Sequence, residues 1–164
     1  MKEIPLTDLR PQDQKLKHEI DKALQQVIEH GKFVDHETVR KFEKAFAELL
    51  QIGFCFGLRS GADAIFLALR ALEIGPGDEV ITAPNASLET ASAICRTGAK
   101  IHFVDMNPLT LNIDVAKIER AISYNTRVLL PVHLFGQPAE LGYLLQLADR
   151  HGLSLVEDAT QACG

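Results

Sequence analysis

The sequence predicts an α/β fold, a mainly parallel sheet with flanking helices, and three observations predict it. From residue 53 onward, short apolar runs alternate with longer amphipathic stretches. The links between them are short and rich in turn formers, as in Gly75-Pro76-Gly77-Asp78. The last run, Leu153–Glu157, is apolar until two carboxylates end it, the pattern of a strand covered on both faces.

The elements follow in order. Met1–Pro11 is a polar lead-in. Leu16, Ile20, Ala23, Leu24, Val27 and Ile28 form one helical face over Gln12–His30, and Gly31 is a C-terminal stop. Val39, Phe42, Ala45, Phe46, Leu49 and Leu50 mark the buried face of a second helix, which Gly53 ends. The α/β alternation then begins. Strands are expected over Phe54–Leu58, Glu79–Ala83, Lys100–Val104, Arg127–Val132 and Leu153–Glu157. Helices are expected over Ala62–Leu72, Ser87–Arg96, Val115–Ile122 and Ala139–His151, with Asp105–Asn112 a loop. The chain thus divides into an amino-terminal helical segment, 1–52, and an α/β portion, 53–164.

Composition narrows the function. At 164 residues and 46% hydrophobic, the chain suffices for a domain with a real core. A net charge of −5 and the lack of a basic run argue against nucleic acid or an anionic membrane. No apolar stretch is long enough for a bilayer, and no signal-peptide core is present. Cys55, Cys95 and Cys163 make neither a zinc pattern nor a disulfide framework, so the expectation is a reducing cytoplasm and no metal. Nothing in sequence near Cys163 lowers its pKa, so it is not taken as a nucleophile. His30, His36, His102 and His151 read as surface or structural residues.

A parallel sheet puts every strand's carboxyl end on one edge, where open α/β sheets bind ligands. Arg59–Asp63, Pro84–Leu88, His133–Gln137 and Asp158–Gln161 all belong there, and in all four small and polar residues replace apolar ones. Singly, each has an ordinary explanation. Ser60 and Ser87 fit N-caps, Leu88 fits the core, His133 fits a hydrogen-bonded structural group, and Asp158 fits a cap or a solvated strand end. Together they suggest a site. Gly61 opens a helix whose first-turn N–H groups suit a phosphate. Asp158, at a buried strand end, needs a cation or donors; one reading pairs it with a protonated ring nitrogen. Neither a P-loop nor a Gly-x-Gly-x-x-Gly turn is present.

An ordered series of motifs runs through the chain. It starts with Gly31-Lys32-Phe33-Val34, Val39-Arg40-Lys41-Phe42-Glu43, Ser60-Gly61-Ala62-Asp63-Ala64 and Gly75-Pro76-Gly77-Asp78-Glu79-Val80-Ile81. It continues with Gly98-Ala99 before Val104-Asp105, then Pro131-Val132-His133-Leu134-Phe135-Gly136-Gln137-Pro138, and closes with Glu157-Asp158-Ala159-Thr160-Gln161-Ala162. The series resembles the amino-terminal part of the DegT/DnrJ/EryC1/StrS sugar aminotransferases, fold-type-I enzymes that use pyridoxal 5'-phosphate. The fold it implies is part of the large domain of such an enzyme.

The resemblance implies that Asp158 holds the pyridinium nitrogen protonated and that Gln161 lies near the phenolic oxygen. Gly61, Ala62 and Asp63 would offer N–H groups to the phosphate, Leu88 would cover the ring face, and His133 would stand on the site wall as a further catalytic candidate. Ala62 departs from the usual Thr, and Leu88 from the usual aromatic residue. The family's Schiff-base lysine follows the Glu-Asp-Ala segment in a Ser-x-x-x-x-Lys motif, and the sequence reaches only Gly164. Lys100 and Lys117 fall away from the carboxyl edge and are not substitutes. The expectation is the amino-terminal portion of a homodimeric enzyme that moves an amino group from an amino acid, glutamate by preference, to a nucleotide-linked keto-deoxysugar. These residues alone, without the lysine and the small carboxyl-terminal domain, are expected to be inactive and prone to association. Two alternatives stand beside it. One is a non-catalytic remnant or subunit that binds the cofactor or a full-length homologue. The other is a portion of a sugar dehydratase of the same family.

Overall fold

A computed structural model describes Pro5 and residues 8–163. The chain divides into two compact units, Met1–Gly57 and Leu58–Gly164.

The first unit holds α1 (Arg10–His30) and α2 (His36–Leu50). Pro11 sits in the first turn of α1, where its missing N–H costs nothing, and Gly31 ends the helix at φ 64°. Asp35 caps α2 by accepting from the Glu37 N–H. The expected helices form, but their apolar faces are not buried as expected. Of the residues in α1 and α2, only Ala47 is buried, while Val39, Phe42 and Leu49 stay exposed. Periodicity marks a face that needs a partner without naming that partner.

The second unit is three layers. Its sheet contains β1 (Glu79–Thr82), β2 (Lys100–Phe103), β3 (Thr126–Leu129) and β4 (Ser154–Leu155), all parallel, in the order β2-β1-β3-β4. Alternate residues feed opposite faces. Val80, Val128 and Leu130 pack with Ile65, Leu69, Ala93 and Ile94 from α3 (Gly61–Ala71) and α4 (Leu88–Thr97). Ile81 and Leu129 pack with Ile118, Leu144 and Leu147 from α5 (Val115–Ala121) and α6 (Leu141–His151). Both faces are therefore covered, which is why these strands read as continuous apolar runs.

The structure corrects the expected strand at Phe54–Leu58. That stretch is irregular, and Phe54 is 81% exposed. An apolar run becomes a strand only against a ladder partner, and none of the described strands pairs with it. The sheet accordingly has four strands among the described residues, not five. The last strand is shorter than Leu153–Glu157, yet its pairing continues beyond it. Val156 N–H donates to Leu129 O, Asp158 N–H to Pro131 O, and Val132 bridges Asp158 in parallel.

Lys100 opens β2 opposite Glu79, at the amino end of the sheet, and Lys117 on α5 pairs with Asp105 and Asp114. Lys100 thus lies away from the carboxyl edge, as the sequence suggests, whereas Lys117 meets Asp105 just past the carboxyl end of β2 and is held there by two carboxylates. No helix among the described residues is long and apolar enough to cross a membrane.

Candidate functional site

Asp158 sits where β4 runs out. Its backbone is pinned on both sides, since its carbonyl accepts from His133 N–H at 3.0 Å while its N–H donates to Pro131 O at 3.0 Å. Its side chain is 7% exposed. Thr90 Oγ1 donates to Oδ2 at 3.1 Å, and Thr160 gives Oδ1 its hydroxyl at 2.7 Å and its N–H at 3.3 Å. All of these donors are neutral, and no ion pair among the described residues includes Asp158. Burying a carboxylate without a counter-charge is costly. The arrangement therefore suits a cation brought from outside.

The amino end of α3 lies against the same segment. A Cβ added to Gly61 would touch the Thr160 methyl at 3.4 Å. A hollow of about 210 Å³ is lined by Gly61, Ala64, Ile65, Asp158, Ala159 and Thr160, among others. Ser60 caps the helix, its Oγ accepting the Asp63 N–H at 3.2 Å. That bond takes one of the N–H groups expected to face a ligand. Gly61 and Ala62 keep theirs without a partner among the described residues, so two donors remain open rather than three. The Asp63 carboxylate is occupied by Arg59 and Arg96.

Leu88, the first residue of α4, is 85% exposed and takes no part in the core. Gln161 accepts the Phe135 N–H through Oε1 at 2.7 Å. A backbone N–H can meet only the carbonyl end of an amide, so the Gln161 NH₂ group is left as a donor. Phe135 is held with φ at 57°, and Gly136 follows at φ 80°, the tight turn that Gly136 and Pro138 foretell. Asn112 braces that turn, accepting from Leu134 N–H and donating to the carbonyls of Gln137 and Pro138.

His133 is buried, and both ring nitrogens are engaged. Nδ1 accepts the Ala139 N–H at 3.1 Å, which leaves the proton on Nε2, facing Glu157 Oε2 at 3.0 Å. Both ring nitrogens are thus occupied within the fold.

The structure thus brings the expected segments together: Gly61 against Thr160, Gln161 against Phe135, and His133 against Asp158. The Pro84–Leu88 segment joins through Ser87, whose hydroxyl meets Thr90 Oγ1 at 3.0 Å. Thr90 and Thr160 are the residues sequence reasoning missed. A signal existed for Thr90, which shares the buried stripe of α4 with Ala93, Ile94 and Thr97. Among the described residues no cluster of His, Cys, Asp or Glu could hold a metal ion.

The sequence pattern of the DegT/DnrJ/EryC1/StrS aminotransferase family matches residues 14–164. A relative from Streptomyces venezuelae, dTDP-3-amino-3,4,6-trideoxy-alpha-D-glucose transaminase, is 41% identical over 161 residues, 98% of this chain and 42% of its own. Among solved structures, S. venezuelae DesV in complex with a ketimine intermediate superposes with a TM-score of 0.95 at 40% identity, covering 100% of this chain and 44% of that one. NtdA from Bacillus subtilis, with bound cofactor PMP, gives 0.89 at 36% identity, covering 99% of this chain and 38% of that one. The chain spans less than half the length of each.

Proposed function

The chain belongs to the DegT/DnrJ/EryC1/StrS aminotransferase family, and from that membership we propose that it supplies the ring-nitrogen and phosphate sides of a pyridoxal 5'-phosphate site. The reaction is transfer of an amino group from an amino acid, glutamate by preference, to a keto group on a nucleotide-linked deoxysugar, in a cytoplasmic homodimer. The observation that carries the reading is the buried Asp158 carboxylate, held by neutral donors alone, lining one hollow with the opening of α3.

When bound, the cofactor supplies an electron sink next to the reacting carbon. Asp158 keeps the ring nitrogen protonated, and so keeps that sink deep. The Gly61 and Ala62 N–H groups, with the positive end of α3, hold the phosphate. Ala62 contributes no hydroxyl, so this grip rests on the backbone. The free NH₂ of Gln161 donates toward the phenolic oxygen. Leu88 covers one ring face and excludes water from it. His133 positions the wall and moves no proton.

Transamination also needs an amine base at the reacting carbon. No Ser-x-x-x-x-Lys sequence occurs in residues 1–164, so these residues alone bind without completing a turnover. The same residues would serve a dehydratase or a non-catalytic subunit, and the position that separates those readings is not among them.

The test is a titration of the chain with pyridoxal 5'-phosphate, followed by equilibrium dialysis and absorbance. Saturable binding that Asp158→Ala weakens is expected, with no amino transfer in protein checked by intact mass. Binding indifferent to Asp158→Ala, or transamination by the 164-residue chain, would overturn the proposal.

A further inference from the structure

We propose that Thr90 and Thr160 are positioning residues that lock the plane of the Asp158 carboxylate, so that the one lone pair they leave, on Oδ2, is aimed at a ring N–H. The inference rests on the reading of Asp158 given above and extends it to the side chains that hold it.

The bonding directions fix themselves. A carboxylate only accepts, so the single proton of the Thr90 hydroxyl is spent on Oδ2. The Ser87 hydroxyl, 3.0 Å from Thr90 Oγ1, must then be the donor to Thr90. Ser87 Oγ in turn accepts the Thr90 N–H at 3.2 Å, as the N-cap of α4. A relay therefore runs from the helix amino end through Ser87 and Thr90 to Asp158, each bond polarising the next. Thr160 reaches the other oxygen from the opposite side of the carboxylate, through both its hydroxyl and its N–H.

With one oxygen held by each threonine, rotation about the Cβ–Cγ bond of Asp158 is stopped. Charge-assisted hydrogen bonds are the strongest such restraints in a protein. Thr90 is fully buried, and its hydroxyl donates to nothing else among the described residues. An orientation fixed before the ligand arrives costs no ordering at binding. It also favours one ligand feature, a ring N–H, over a C–H of the same shape.

The experiment compares two probes on the full chain: pyridoxal 5'-phosphate and its analogue in which C–H replaces the ring nitrogen. The readout is the ratio of their dissociation constants. Wild type is expected to prefer the nitrogen-bearing probe. Thr90→Val, nearly isosteric, should lose about tenfold of that preference. Thr90→Ser, which keeps the hydroxyl, should retain it. Thr160→Ala changes an exposed residue and keeps the test open should Thr90→Val not fold; it is expected to lose preference in the same sense. A purely structural role would weaken both probes equally and leave the ratio unchanged, which overturns the inference. A wild type that does not distinguish the probes would overturn the cofactor reading, and this inference with it.

Discussion

Arg96 Nη1 stands 2.9 Å from Asp63 Oδ1, tying the last turn of α4 to the first turn of α3. The same guanidinium lies over the Phe66 ring at 4.2 Å, and Arg59 holds the second Asp63 oxygen at 3.1 Å. A carboxylate in the first turn suits the helix dipole, yet it repels any phosphate brought to that terminus. The Arg96 hydrogen bond, with Arg59 adding to it against the opposing effect of burial, holds the Asp63 carboxyl below the ordinary carboxylate range. The arginines thus neutralise a charge that would otherwise repel the phosphate of the proposed cofactor. Arg96→Ala should weaken binding of pyridoxal 5'-phosphate by about threefold while leaving unphosphorylated pyridoxal unaffected. Adding Asp63→Asn should restore the loss. Parallel titrations of the two ligands decide it, and an equal loss for both would point to helix packing instead.

His133 predicts a stability effect. Replacing it with Ala leaves the buried Ala139 N–H without an acceptor, and such an orphan costs about 1–3 kcal/mol before any cavity is counted. Glu157→Gln keeps an acceptor for Nε2 and changes a half-exposed group, so its cost should stay under about 1 kcal/mol. Urea midpoints of the two variants test the asymmetry. Equal losses would mean that the Glu157 contact, rather than the Ala139 bond, is what His133 is for.

Much of this site could be read from sequence because its parts are local. Ser60 and Ser87 cap helices within three residues of themselves, strands β1 and β2 lie inside the expected runs, and β3 begins one residue before its own. What could not be read depends on distant partners. The Phe54–Leu58 run has strand composition, but strand formation needs a neighbour that composition does not provide. The apolar stripes on α1 and α2 mark faces without saying what covers them. Thr90 looks like a tolerated polar residue on an inner helical face until Asp158, 68 residues on, supplies its acceptor. The two engaged nitrogens of His133 follow from a fold that brings Ala139 and Glu157 to one ring.

Glu79 predicts a pH dependence at the opposite end of the sheet. Burial pushes its carboxyl up, but His102 Nδ1 at 3.1 Å, Thr126 Oγ1 at 2.9 Å and Ser123 Oγ at 3.0 Å together outweigh it, and the carboxyl lies below its ordinary value. A depressed folded value stabilises the fold above the unfolded value of about 4.3, and that contribution is lost as pH falls through the folded one. Wild type should therefore lose more stability than Glu79→Gln on acidification below about pH 4. Denaturation midpoints from pH 6 down to about 2 measure it, and parallel curves for the two proteins would remove Glu79 from the account.

Leu88 separates binding from folding. At 85% exposed it contributes little to the core, so Leu88→Phe should shift stability by no more than about 0.5 kcal/mol. An aromatic ring stacked on a bound pyridine gains about 0.5–1.5 kcal/mol beyond area burial, or roughly two- to tenfold in affinity. The expected result is tighter binding of pyridoxal 5'-phosphate at unchanged melting temperature, read by equilibrium dialysis and thermal unfolding of one preparation. Tighter binding with unchanged stability places Leu88 over the ring. Unchanged affinity would place the ring elsewhere along the carboxyl edge, because a ligand beneath residue 88 must feel a change from an aliphatic to an aromatic cover.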